Sequence, residues 1–247
     1  MANEYKVQVN HLAKKFGDLL VLDDISFNVK ENEFLCIVGP TGCGKTTFLN
    51  SLSKLYDITA GEILINGEPV NLKKHNIAYI FQEYSNMPWL TIRQNVEFGL
   101  RIKKLPESVI RERVDYFLDM VGLTKFQNYY PDQLSASMLQ RAAIARAFAV
   151  KPEVLLMDEP YGQLDIELRF KLEDELIRLW REVGTTVIFI THNIEEAVYL
   201  SGRILVLTNK PTKIKAEIPN DLPRPRDIAS PDFVALRNQV TDLIKWW

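Results

Sequence analysis

The sequence predicts an α/β fold with a parallel core, a small antiparallel β portion and an inserted α-helical subdomain, and three observations carry that expectation. The apolar run 34–38 leads directly into Gly39-Pro40-Thr41-Gly42-Cys43-Gly44-Lys45-Thr46-Thr47 and then into the helical pattern Phe48, Leu49, Leu52 and Leu55. Two further apolar runs, 154–157 and 186–190, flank the charged amphipathic stretch 168–183, the pattern of buried parallel strands joined by a crossover helix. The hydrophobic period also changes along the chain, from alternation before Phe81 to a helical repeat between Thr91 and Val150.

Taken in order, residues 6–10, 21–29, 62–65 and 77–81 alternate as strands and are assigned to the small, largely antiparallel portion, with Asn66-Gly67 as a tight turn. Residues 109–122 place Val114, Phe117, Leu118 and Val121 on one helical face. Beyond Pro219, the segment Asp221-Leu222-Pro223-Arg224-Pro225-Arg226-Asp227 is too rich in proline and charge to continue an element. A short helix is expected from Pro231, with Phe233, Leu236, Val240, Leu243 and Ile244 on one side. Residues 1–226 are expected to form one domain, with the helical subdomain at about 83–150 and residues 227–247 as a C-terminal helical tail; no additional regulatory domain is expected.

At 247 residues, 47% hydrophobic and 25% charged, the chain can bury a sizeable core without disulfides. Its 30 basic and 32 acidic residues form no long single-sign block, which argues against a nucleic-acid partner. No apolar run approaches the roughly 18 residues of a membrane span and the N-terminus lacks a signal-peptide core, so a cytosolic protein is expected. Cys36 and Cys43, one in an apolar run and one in the glycine loop, are expected to be free thiols with no metal-ligand spacing.

Strand, glycine loop and helix together make a phosphate cradle of the P-loop NTPase type. In the frame Gly-x4-Gly-Lys-Thr, glycines let backbone N–H groups approach phosphate oxygens, Lys45 reaches the β and γ oxygens, and the Thr46 hydroxyl is placed to ligate Mg²⁺. The run 154–157 delivers Asp158 and Glu159 at a strand's C-terminal end, where open α/β sheets bind ligands. Asp158 is expected to hold Mg²⁺ through water and Glu159 to polarise the attacking water. The run 186–190 ends at Thr191-His192, which directs His192 to the same edge, with an expected contact to the γ-phosphate. His11 and His75, in polar surroundings, are expected at the surface. A small GTPase is excluded: Asp158-Glu159-Pro160-Tyr161 and Asn209-Lys210-Pro211-Thr212 stand where its Asp-x-x-Gly and Asn-Lys-x-Asp motifs belong.

With Gln82, residues 134–148 and His192 added, the chain resembles the nucleotide-binding subunits of ATP-binding cassette (ABC) transporters from about Lys6 to Arg226. The order of motifs matches: phosphate loop, Gln82 after the strand 77–81, a helical insertion, a Leu-Ser signature, Leu-Leu-Met-Asp-Glu-Pro, Leu164-Asp165 and Thr191-His192. The resemblance implies that Phe16 stacks on adenine and that Gln82 senses Mg²⁺ and the γ-phosphate. It also implies that Ser135, and Ser137 beside it, face ATP held by a second ATPase subunit, identical or paralogous. Transmembrane permease subunits, and indirectly a solute-binding protein, are the implied partners, at the cytoplasmic face of the membrane. The stretches 87–91, 179–182 and 221–226 are similar to the nitrate, taurine and sulfonate importer branch. Trp89 is a candidate permease contact or a core residue of the helical subdomain.

The departure lies in the signature, Leu134-Ser135-Ala136-Ser137-Met138, where the family carries two glycines after the serine. If Ala136 and Ser137 hold negative φ, the backbone path survives, and the added side chains alone alter the approach to phosphate. This motivates an alternative: a chain that binds ATP and hydrolyses it weakly, as one partner in an asymmetric pair.

Overall fold

The computed structural model describes residues 4–83, 85–162 and 166–244. The chain divides into two compact units, one running from the N-terminus to His75 and from Thr186 onward, the other covering residues 76–185.

In the first unit, β1 (Tyr5–Phe16) and β2 (Leu19–Lys30) form a long antiparallel hairpin. Inward residues Val7, Val9, Leu12, Ile25 and Val29 are buried, as strand alternation requires. Strand β3 (Phe34–Val38) is buried at all five positions and feeds α1 (Lys45–Leu52). The helix ends one turn sooner than the apolar pattern suggests: Ser53 caps it, Lys54 turns left-handed at φ +60° and Leu55 is exposed. Strands β4 (Ala60–Ile65) and β5 (Glu68–Pro69) complete an antiparallel sheet in the order β2-β1-β4-β5. Asn66 and Gly67, both left-handed, make the turn between them. His75 departs from the surface position expected of it. It is buried, because the chain doubles back at Asn71, whose N–H donates to the His75 Nδ1 at 3.1 Å while the His75 N–H donates to the Asn71 carbonyl at 2.7 Å. His11 is exposed, beside Asp24.

The second unit opens with β6 (Ile77–Ile80), which pairs in parallel with β7 (Val154–Asp158). Residues 77–80 therefore belong to a parallel pair and not to the antiparallel portion expected from their alternation, and Phe81 lies beyond the strand. Between these strands run α2 (Ile92–Ile102), α3 (Glu107–Met120) and α4 (Ala136–Ala149), with α4 packed on both of the others. Helix α5 (Ile166–Val183) follows β7 and buries Leu172, Leu176 and Leu179 on one face.

The α2 entry is built with care for its polar groups. Thr91 and Gln94 form a reciprocal capping box, Gln94 N–H to Thr91 Oγ1 at 3.3 Å and Thr91 N–H to Gln94 Oε1 at 2.9 Å. Asn95, fully buried, donates from Nδ2 to the carbonyls of Met87, Leu90 and Thr91 and accepts the Met87 N–H at 2.7 Å. One amide thereby pins the whole 87–91 loop, and Trp89 is left 73% exposed, which removes the core alternative for it. An Asn95→Ala variant should lose about 2–3 kcal/mol of stability, because it strands buried backbone groups of the loop; urea unfolding followed by tryptophan fluorescence measures it.

The chain then returns to the first unit through β8 (Thr186–Thr191), α6 (Ile194–Leu200), β9 (Arg203–Leu207), β10 (Ile214–Pro219) and α7 (Pro231–Ile244). Strand β3 is flanked by β8 and β9, both parallel to it, and β10 adds antiparallel to β9. Helix α7 buries Phe233 and Val240. Both cysteines are free and buried. Among the described residues no helix is long and apolar enough to cross a membrane.

Candidate active site

In the first unit the site begins where β3 stops. Gly42 and Gly44 hold φ of +76° and +117°, a backbone that side-chain-bearing residues rarely adopt, and a Cβ on Gly44 would lie 2.9 Å from Val21. The loop thus curls back on itself and releases into α1 at Lys45. Lys45 is only 6% exposed and its ammonium donates to the carbonyls of Gly39 at 3.0 Å and Pro40 at 3.2 Å, so the charge is drawn in over the loop. Thr46 and Thr47 follow in the first turn of α1, whose leading N–H groups and dipole favour an anion.

A residue far along the chain holds this loop from outside. Buried Thr212 donates from its hydroxyl to the Cys43 carbonyl, while its own N–H donates to Val21 and its carbonyl accepts from Asp23, each at 2.9 Å. Nothing in the local sequence marks Thr212, since its partner lies 169 residues away. Cys43 itself is buried, and burial pushes its thiol up against the opposing pull of Lys45, which keeps it protonated and unreactive.

The register of the parallel strands brings His192 to the same end. Val38 pairs with Thr191, so the residues that follow, Gly39 and His192, leave adjacent strands side by side. His192 is exposed, and its neighbours on both sides are fixed: the Asn193 N–H donates to Thr191 Oγ1 at 2.9 Å, and the Asn193 side chain caps α6. Phe16, at the end of β1, is 43% exposed, with the Tyr56 ring edge-on at 5.5 Å and the Lys14 ammonium 4.6 Å from its centroid. It presents aromatic surface to solvent at little cost, which suits a stacking platform. Tyr56 carries no sequence signal for that neighbourhood.

In the second unit the parallel pair does the equivalent work. Ile80 pairs with Met157, so Gln82 and the Asp158-Glu159 pair leave neighbouring strands at one edge. Asp158 is 4% exposed and accepts from the Tyr79 hydroxyl at 3.5 Å, whereas Gln82 is exposed. Glu159 takes a left-handed backbone, φ +43°, which turns its side chain off the strand line. Buried Tyr161 anchors the chain just beyond, its hydroxyl donating to the Leu172 carbonyl at 3.3 Å.

The signature segment begins α4. Ser135 is the N-cap, its hydroxyl accepting from the Met138 N–H at 3.4 Å. Neither Ala136 nor Ser137 has positive φ, so the helix start follows an ordinary path without glycine. The two differ in burial: Ala136 is exposed and Ser137 is 7% exposed. Ser135 and Ala136, then, form the outward face. Leu164 and Asp165 lie outside the described residues, as do Trp246 and Trp247.

Thr46, Gln82 and Asp158 offer a hydroxyl, an amide and a carboxylate, hard oxygen donors of the kind Mg²⁺ accepts alongside several waters. Among the described residues no three acidic, histidine or cysteine side chains gather as a metal cage. Each of these donors, taken singly, suits an ion that draws most of its ligands from water and phosphate.

Comparison with known proteins identifies the family. The family described as ABC transporter matches residues 22–162. An uncharacterized ABC transporter ATP-binding protein of Methanocaldococcus jannaschii is 43% identical, over 97% of this chain and 91% of its own length. An aliphatic sulfonates import ATP-binding protein of Bacillus cereus is 39% identical, over 95% and 94%. A nitrate import ATP-binding protein of Synechococcus elongatus is 38% identical, over 92% and 86%. Among solved structures, a Clostridium perfringens protein described as part of an ABC transporter complex superposes with a TM-score of 0.81 at 27% identity, covering 88% of this chain and 90% of that one. A dimeric ATP-binding cassette bound to ADP and phosphate gives 0.77 at 32% identity, covering 87% and 99%.

Proposed function

The chain belongs to the ABC transporter family as its ATP-hydrolysing, nucleotide-binding subunit, and from that premise we propose that it powers import of a small oxyanion such as a sulfonate, taurine or nitrate. The observation that carries the proposed site is the pairing of Val38 with Thr191, which sets His192 beside the start of the phosphate loop. ATP would be the substrate, with its triphosphate in the loop of residues 39–47 and its adenine on Phe16. Lys45 neutralises charge on the β and γ oxygens, Glu159 takes the proton of the attacking water, and His192 donates to the γ-phosphate. Thr46, Gln82 and Asp158 would hold Mg²⁺, which when bound screens the triphosphate charge. Catalysis by these side chains is positioning plus charge stabilisation.

The active form in this reading is a pair of ATPase subunits, with Ser135 at the N-terminus of α4 facing ATP on the partner. The subunits dock on transmembrane permease subunits at the cytoplasmic face, where Trp89 on its pinned loop is the proposed contact, and a solute-binding protein delivers the solute. The import proposal rests on the sulfonate and nitrate relatives. Vesicles reconstituted with the cognate permease test it: ATP-dependent uptake of at least one of the three solutes is expected, and uptake of none overturns the branch assignment.

The weakly hydrolysing alternative has one observation in its favour, the exposed methyl of Ala136 at the face offered to the partner's phosphate. Because Ser137 points inward, Ala136→Gly alone should raise turnover of the homodimer several-fold. Ser137→Gly should leave turnover unchanged and cost up to about 1 kcal/mol of stability. Equal turnover in wild type and Ala136→Gly removes the signature as the rate-limiting feature.

A further inference from the structure

We propose that Arg226, assisted by Arg224, is a positioning residue for His192, closing the far end of α6 so that the turn carrying His192 keeps one orientation toward the terminal phosphate of ATP. The proposal rests on the role assigned to His192 above.

Helix α6 is seven residues long. Isolated helices shorter than roughly 12–15 residues are marginal in water, so its order must come from its ends and its buried face. The N-terminal end is closed by Asn193, whose Oδ1 accepts from Glu195 N–H at 3.0 Å and Glu196 N–H at 3.3 Å. His192 is the residue just before this cap.

The C-terminal end is closed by the segment after β10. A helix leaves its last carbonyls without intrahelical donors, and here each is answered. The Ala197 carbonyl takes the N–H and hydroxyl of Ser201, at 3.1 and 2.7 Å. Val198 takes Arg226 Nη1 at 2.6 Å and Asn220 Nδ2 at 2.8 Å. Tyr199 takes Arg226 Nη1 at 2.8 Å and Arg224 Nη1 at 3.1 Å, and Leu200 takes Arg224 Nη2. The Arg226 fork also reaches the carbonyls of Ser201 at 2.6 Å and Asn220 at 3.2 Å. Its Nε and Nη2 reach Leu222, both at 3.3 Å.

Arg226 is 8% exposed, so this is a buried guanidinium held by main-chain oxygens. Five donors in a rigid plane suit that task and a lysine ammonium does not. Two cations also complement the negative end of the helix dipole. The clamp lies next to the strand that feeds the phosphate loop: burial pushes the Cys36 thiol well up, Glu196 adds to the rise, and Arg224 and Arg226 oppose it. With the cap at one end and the clamp at the other, α6 has no free terminus from which to unwind toward His192.

The experiment is a double-mutant cycle on the full chain with Arg226→Met and His192→Ala, read as kcat and KM for ATP. Arg226→Met is expected to lower kcat by roughly ten- to a hundredfold, the scale of an ångström-sized misplacement of a reacting group. KM should stay within about twofold. In the His192→Ala background the same change should cost nothing further, because there is no longer an imidazole to position. Losses that multiply overturn the proposal, as does a folded Arg226→Met chain with unchanged kcat. A His192→Ala variant with normal kcat overturns the role of His192 itself, a different failure from the first two. Should Arg226→Met not fold, Arg226→Lys replaces it: charge is kept and the planar fork is lost, with an intermediate kcat loss expected that again vanishes beside His192→Ala.

Discussion

Replacing Glu159 by Gln is expected to leave ATP binding within about twofold of wild type and to lower hydrolysis by roughly a hundred- to ten-thousandfold, the contribution of a positioned general base. The amide is nearly isosteric with the carboxylate, so the left-handed turn at 159 and the Tyr161 anchor behind it persist. In the proposed role, what is lost is the capacity to take a proton from water. The variant also reports on assembly: with ATP trapped, light scattering on a sizing column should show a Mg-ATP-dependent dimer if Ser135-Ala136 can face the partner's nucleotide. A monomer with ATP bound would direct attention to a paralogous ATPase subunit. Near-normal turnover in Glu159→Gln would assign the base elsewhere.

Lys45→Ala should weaken ATP binding by roughly ten- to a hundredfold, the equivalent of one or two charge-assisted hydrogen bonds, while adenosine binding stays the same. The split is the informative part. The ammonium donates to the loop carbonyls of Gly39 and Pro40 and would meet the triphosphate there, whereas adenine would rest on Phe16 at the end of β1. The loop should keep its shape although two bonds to the Gly39 and Pro40 carbonyls are lost, because left-handed Gly42 and Gly44 and the Thr212 hydroxyl still set it. Fluorescent-nucleotide titration beside adenosine calorimetry distinguishes this result from general unfolding, in which both ligands would lose affinity.

The parts of this molecule that sequence exposes are those whose causes are local. Glycines at fixed offsets before a helix specify a loop wherever the loop sits, and an apolar run ending in two carboxylates specifies a strand with an acidic end. Strand direction is another matter: Ile77–Ile80 is four residues of alternation, and nothing within them says whether the partner runs parallel. His75 was hidden by its lysine neighbours, because its burial comes from the chain folding back on Asn71 and not from apolar residues beside it. Thr212 was invisible for a plainer reason, its partner being across the sequence. Trp89 is ambiguous in sequence because its exposure is set by the Asn95 amide, which holds its loop from the following helix.

The backbone at Glu159 also bears on how this protein would respond to selection for heat resistance. A left-handed residue with a Cβ costs about 1–3 kcal/mol, and glycine pays little of that. Glu159→Gly should therefore raise the melting temperature while abolishing turnover. A screen that rewards survival at high temperature, with no test of ATP hydrolysis, would be drawn to this position and would recover durable proteins that no longer work.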